Sequence, residues 1–312
     1  MSTAAVSSPK VLVTGASGFV GRCLVPLLLQ AGYAVAVLGR DEQKIQQHSW
    51  ASAVKIVAGD LADEAVCSRA VRGVEFVVHL ADLAHVRAGE AAHRRSVLNL
   101  QRLATAAADA GVQRFVYLSS CKARYPSHSS YGHYKLAAEE WLLRMQRTMQ
   151  VVCLRPGIIY GNGMRNNLHL LLQVLQRPLL PVFISSQSAI GMISVQDCGR
   201  AIVTALAAPQ LAGHTWELND GVRYTLDSLV ALIRRHYGLP VPLRCPRLLI
   251  QTLCLLGEPF CRAGLSPAGL AMSRVLFSEQ YPISQDFAVA GKFIISHDFR
   301  HWLQGQISAE FP

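Results

Sequence analysis

The sequence predicts an α/β fold: a doubly wound parallel sheet carrying a smaller C-terminal domain. Three observations predict it. Strand-like runs rich in Val, Ile and aromatics recur as VLVTG, AVAVLG, KIVAGD, FVVHLA, FVYLSS and VVCLRP; segments with helical spacing separate them; and the rhythm fails beyond Tyr160. Near-continuous apolar strands that alternate with helices imply a parallel sheet covered on both faces.

The first strand runs into a glycine-spaced junction, TGASGFVG from Thr14 to Gly21. Gly15, Gly18 and Gly21 allow a tight turn, close approach by a ligand and close packing of helix on sheet. The opening amides of the next helix would then face a phosphate. The spacing departs from the dinucleotide fingerprint G-x-G-x-x-G, so its context decides its meaning. The helix that follows presents Phe19, Val20, Cys23, Leu24, Leu27 and Leu28 on one apolar face, with Pro26 as the only discord. AVAVLG, KIVAGD and FVVHLA continue the sheet. The Ala-rich LATAAADAG forms a crossover helix stopped at Gly111, after which FVYLSS and VVCLRP add two more strands.

Composition narrows the function. Among 312 residues, 51% are hydrophobic and 16% charged, which excludes a disordered chain. The net charge is +10, but Lys and Arg are scattered; this argues against a nucleic-acid partner and for an anionic small molecule. The eight cysteines include no C-x-x-C pair, as expected for reduced thiols in a cytoplasmic protein. MSTAAVSSPK has no apolar h-region and reads as a loose tail rather than a signal peptide. LLIQTLCLL, Leu248 to Leu256, falls well short of the roughly 20 residues that span a bilayer. No transmembrane segment is expected; the stretch reads as a buried helix of the small domain, with peripheral membrane contact and a homodimer left open.

Tyr131 and Lys135 form Y-x-x-x-K and share one face of a helix. A tyrosine with an ordinary pKa near 10 needs a neighbouring cation before it exchanges a proton at neutral pH, so this pair is a candidate acid/base centre. His128 and His133, five apart, have no obvious ligand geometry, and His297 with His301 lacks the glutamate of H-E-x-x-H and a third ligand; both pairs read as surface residues, and no metal site is expected. Cys121 reads as a small buried side chain.

Seven motifs stand in one order over about two thirds of the chain: TGASGFVG, GDL at Gly59 to Leu61, VVHLA at Val77 to Ala81, GVQRFVYLSS at Gly111 to Ser120, YGHYK at Tyr131 to Lys135, LRPGIIYG at Leu154 to Gly161, and ISVQDCGRAI at Ile193 to Ile202. Together they resemble an extended short-chain dehydrogenase/reductase of the NAD(P)-dependent epimerase/dehydratase-like type. The resemblance implies a Rossmann-type dinucleotide-binding domain over 9–160, to which 191–210 returns, and a smaller substrate domain or cap from 161–190 and 211–312. It assigns the pyrophosphate to Gly15, Ser17, Gly18, Phe19, Val20 and Gly21. Asp60 and Leu61 would sit beside the adenine, Ala81 would close one side of the cleft, and Pro156 would complete the cofactor site. Tyr131 is then the general acid/base, Lys135 lowers its pKa and binds the nicotinamide ribose, and Ser120 holds the reacting oxygen.

The cofactor expected is NADP, with NAD as the alternative. The strand AVAVLG ends at Gly39, where NAD-preferring relatives carry an acid; here Arg40 follows, able to pair with a 2′-phosphate. Three positions depart from the family pattern. Ser96 stands where an asparagine usually helps order a relay water, Tyr131 comes only 11 positions after Ser120, and Asp82 places a charge near the expected substrate side. For substrate, a nucleotide sugar ranks slightly first, with Arg165 and Asn167 in YGNGMRNNL as diphosphate ligands. An apolar alcohol, as in relatives of hydroxysteroid dehydrogenases, is the alternative, and a cofactor-binding protein without turnover is a third.

Overall fold

A computed structural model describes residues 8–82, 89–178, 182–184, 188–245, 284–296 and 298–310. The strands are β1 (Lys10–Thr14), β2 (Ala34–Gly39), β3 (Lys55–Ala58), β4 (Phe76–His79), β5 (Arg114–Leu118), β6 (Gln150–Pro156), β7 (Ile158–Tyr160), β8 (Val182–Ile184), β9 (Met192–Ser194), β10 (His214–Leu218) and β11 (Leu243–Cys245). The helices are α1 (Gly21–Gln30), α2 (Glu42–Gln46), α3 (Glu64–Ala70), α4 (Glu90–Asp109), α5 (Ser130–Arg144), α6 (Asn167–Leu175), α7 (Val195–Ala207), α8 (Leu226–His236), α9 (Asp286–Ala290) and α10 (Phe299–Glu310).

The chain divides into two compact units. The first comprises 1–156, 195–218 and 285–295 and holds a seven-stranded sheet in the order β10-β6-β5-β4-β1-β2-β3, every adjacent pair parallel. The order reverses at β1 and β4, the point where ligands of open parallel sheets bind beyond the carboxyl ends of the strands. Helices α3, α4 and α5 pack side by side, as do α1 and α7. Leu12, Val77, Phe115 and Val151 of the sheet share one buried cluster with Leu100, Leu103 and Leu142 of α4 and α5. Each such side chain stabilises the fold by about 1.5–3 kcal/mol through burial, which locks α4 and α5 over the strand ends they serve.

β10 was not among the strands read from the sequence, because HTWEL carries no apolar run; it joins the sheet edge by pairing with β6. Residues 211–218 therefore lie in the first unit. The buried face of α1 is Gly21, Leu24, Val25 and Leu28, so Val25 enters the core ahead of Leu27. The second unit comprises 157–194, 219–284 and 296–312. Within it β7 pairs with β9 and β11 with β8, and the Tyr160 ring meets Phe299 edge-on at 5.2 Å. No helix among the described residues is long and apolar enough to cross a membrane. LLIQTLCLL and His297 lie outside the described residues.

Candidate active site

The glycine junction between β1 and α1 is shaped by contact with the end of β4. Gly15 has φ 73°, and a Cβ there would lie 2.8 Å from the Ala81 nitrogen and 2.9 Å from the Leu80 carbonyl carbon. The Leu80 and Ala81 amides donate to the Thr14 carbonyl and hydroxyl oxygens, both at 3.2 Å, so β4 is tied to the turn it crowds. The Gly18 amide closes the turn onto the Gly15 carbonyl at 3.0 Å. The first turn of α1 carries no acidic side chain.

A cleft of about 410 Å³ opens at this turn. Its walls are the whole 15–21 turn, then Arg40, Asp60 and Leu61, then Ala81, Asp82, Ser96 and Tyr131. A turn with glycine at 15, 18 and 21, leading into a helix whose first turn carries no acidic side chain, fits a dinucleotide pyrophosphate. Arg40 lies 3.9 Å from the Asp60 carboxylate, an exposed pair of little energetic weight. Asp41 caps α2 by accepting from the Lys44 amide at 2.9 Å, and the other Asp60 oxygen accepts from the Ala62 amide at 2.9 Å. Pro156, buried at the end of β6, is not among the residues lining this cleft, nor is Ser120.

Ser129 caps α5 by accepting from the Gly132 amide at 3.2 Å. The helix starts hard against the turn after β5: a Cβ on Gly132 would lie 3.0 Å from the Lys122 carbonyl carbon. Tyr131 and Lys135 consequently point back to the sheet. The Lys135 ammonium donates to the Leu118 carbonyl at 3.0 Å and pairs with Asp82 at 3.0 Å. It lies 4.7 Å from the Tyr117 ring centre and 5.7 Å from that of Tyr131. Ser96 donates to the other Asp82 oxygen at 2.9 Å. A second, small cavity of about 20 Å³ holds this cluster, lined by Asp82, His93, Ser96, Tyr117, Tyr131 and Lys135, among others.

Burial pushes the Tyr131 phenol up to about 12; Lys135 draws it down, and Asp82 opposes Lys135. Lys135 itself loses proton affinity through burial but is carried well above its ordinary range by Asp82 and the two tyrosines. Burial, reinforced by Lys135, pushes His79 down to about 3, so its ring is neutral and shares a 2.8 Å hydrogen bond with the Thr14 hydroxyl. Ser120 Oγ accepts from the Lys122 amide at 3.3 Å and caps the short turn Cys121–Arg124. Cys121 is buried, while His133 is exposed.

Sequence reasoning missed several supporting residues. His79 and Tyr117 lie beside Lys135 at the ends of β4 and β5, and only their place at strand ends signals them. Buried His93 of α4 has no hydrogen-bond partner for either ring nitrogen among the described residues, and its ring centre stands 5.9 Å from that of Tyr131. Glu139, one turn beyond Lys135 on α5, accepts from Ser119 and from Arg155 of β6 at 2.6 Å, and Arg155 also reaches Glu217 of β10 at 3.4 Å. This buried brace ties α5 to the sheet edge. In the second unit, Arg165 is exposed and Asn167 opens α6; its neighbour Asn166 caps that helix, accepting from the Leu168 amide at 3.1 Å.

Comparison with known proteins places this geometry in context. The profile of the NAD dependent epimerase/dehydratase family matches residues 11–219. A ceramide reductase of Caulobacter vibrioides is 34% identical over 236 residues, covering 72% of this chain and 73% of that protein. A UDP-glucose 4-epimerase of Vibrio cholerae is 27% identical over 268 residues, covering 76% of this chain and 80% of that protein. Among solved structures, a UDP-N-acetylglucosamine 4-epimerase from Bacillus cereus shares the fold with a TM-score of 0.74 at 16% identity, covering 98% of each chain.

Proposed function

Since the chain belongs to the NAD dependent epimerase/dehydratase family and is an NAD(P)-dependent enzyme of the short-chain dehydrogenase/reductase type, we propose that it interconverts a keto group and a carbinol on a nucleotide-linked sugar, with NADP(H) as cofactor. The observation that carries this reading is the meeting of two features: a glycine-spaced turn beside a cleft of about 410 Å³, and Tyr131 on the cleft wall with Lys135 one helical turn behind it.

In this reading the 15–21 turn and the α1 amides hold the pyrophosphate, Asp60 and Leu61 border the adenine, and Lys135 meets the nicotinamide ribose. When bound, the nicotinamide supplies or accepts the hydride. Tyr131 gives or takes the hydroxyl proton, and Ser120 orients the oxygen that carries it. Positioning and proton transfer are the two contributions asked of the protein; the latter is worth about 10²–10⁴-fold in such sites.

Arg40 supports NADP(H) over NAD(H), because it borders the cleft after β2 while its acidic neighbour Asp41 is committed to capping α2. Arg165, the net charge of +10 and the Vibrio cholerae relative support a nucleotide sugar. A second reading, reduction of a ketone on an apolar lipid, is favoured by the Caulobacter vibrioides relative.

Titration with both cofactors, followed by turnover assays on uridine diphosphate keto-sugars and on long-chain ketones, tests the proposal. NADPH should bind at least about tenfold more tightly than NADH, with the difference lost in Arg40→Ala. Keto-sugar turnover should fall in Arg165→Ala. Turnover of the apolar set alone, indifferent to Arg165, selects the second reading, and tight NADP(H) binding without any turnover selects a cofactor-binding protein.

A further inference from the structure

Two of the three positions that depart from the family pattern, Asp82 and Ser96, lie 14 residues apart in sequence and are hydrogen-bonded to each other at 2.9 Å. Their union has a third member: the other Asp82 oxygen holds the Lys135 ammonium at 3.0 Å. The pair is sheltered, with the Lys135 side chain 7% and the Asp82 side chain 20% exposed. We propose that Asp82, oriented by Ser96, is a positioning residue that neutralises Lys135 beside Tyr131 and so sets Tyr131 to act as the proton donor in carbonyl reduction.

The physical argument starts from charge. A lone ammonium beside a phenol stabilises the phenolate. An ammonium with a carboxylate 3.0 Å away is instead a dipole, and its field at Tyr131 is weaker. The other groups facing Tyr131 and Lys135 among the described residues do not restore that field. His79 is neutral, Tyr117 is pushed higher still by burial, and Cys121 opposes ionisation of Tyr131. The α4 and α5 side chains nearby are His93 and Tyr134, the latter donating to Glu90 at 2.9 Å. Burial first, and then the Asp82 charge set against Lys135, keep the proton on Tyr131 up to about 12, above the ordinary tyrosine range.

A tyrosine that stays protonated suits one direction of the reaction. In reduction, the carbonyl carbon accepts the hydride that the reduced cofactor supplies, the carbonyl π pair takes the Tyr131 proton, and the phenolate left behind regains a proton from solvent. In oxidation the same residue must begin as the phenolate. The Asp82–Lys135 pair thus keeps the reductive form filled across neutral pH and defers oxidation to alkaline pH. This inference rests on the acid/base reading of Tyr131 given above.

The experiment follows the Tyr131 ring by NMR in protein labelled on tyrosine, with its resonance assigned through Tyr131→Phe, in full-length protein with and without NADP⁺. Asp82→Asn keeps the shape and the Ser96 contact but removes the charge; the Tyr131 titration should move down by at least about one pH unit, a tenfold loss of proton affinity. Ser96→Ala should move it in the same direction by less. In assays, Asp82→Asn should shift the alkaline loss of reduction to lower pH while raising oxidation at neutral pH, a change in pH profile that loss of folding does not produce. A Tyr131 titration that stays in place or rises in Asp82→Asn overturns the role of Asp82. A lowered titration in a protein that turns over no carbonyl or alcohol supports Asp82 as the group controlling Tyr131 and overturns the proposed function instead.

Discussion

Gly15 and Ala81 are in backbone contact, so closely that a Cβ on Gly15 would lie 2.8 Å from the Ala81 nitrogen. This contact joins the turn after β1 to the end of β4 and shapes the mouth of the cleft. The Gly15 backbone also sits at φ 73°, where an L side chain costs about 1–2 kcal/mol. Gly15→Ala must therefore both strain the turn and push β4 away. Chemical denaturation should show a loss of at least about 2 kcal/mol, and NADPH affinity should fall by more than about tenfold. Wild-type affinity in a stable Gly15→Ala protein would remove the turn from the cofactor site.

The Asp82–Lys135 pair makes a prediction that separates pairing from charge. Lys135→Met leaves a sheltered carboxylate without its cation and should cost about 3 kcal/mol of stability. Asp82→Asn combined with Lys135→Met removes both charges, and the double variant should recover most of that loss. Additive losses in denaturant titrations would show that the two side chains do not couple.

His79 predicts the acid limit of the first unit. Its folded-state pKa, pushed down to about 3, lies below the usual histidine value near 6.5, so the stability linked to its neutral form is complete above about pH 6.5 and is lost as pH falls towards 3. Between about pH 7 and pH 5 the loss should reach about 2 kcal/mol. Denaturation curves for the wild type and His79→Asn at the two pH values check this: the variant should lose less on acidification, and an equal loss in both proteins excludes His79 as the source.

Much of the first unit was legible in the sequence for reasons that are local. The six apolar strands are buried by helices, so their composition announces them, and the Tyr131–Lys135 face follows from helical spacing alone. β10 was illegible because its residues, HTWEL, are stabilised by pairing with β6 rather than by a run of apolar side chains. The Asp82–Ser96–Lys135 cluster was illegible for a different reason. Asp82 follows β4, Ser96 sits on α4 and Lys135 on α5, and only the packing of α4 against α5 over the sheet brings the three together. Read singly, Asp82 and Ser96 were departures from a pattern; read in three dimensions, they are partners.

The central claim is that Tyr131 exchanges the proton that accompanies hydride transfer. The most direct measurement is transfer of deuterium from reduced, deuterated nicotinamide cofactor to the carbonyl carbon of a uridine diphosphate keto-sugar, followed by mass spectrometry for the wild type and for Tyr131→Phe. The variant should bind cofactor as tightly as the wild type, because the phenol is not required for that contact. Its rate of label transfer should fall by about 10²–10⁴-fold. Equal rates of label transfer in the two proteins would contradict the account.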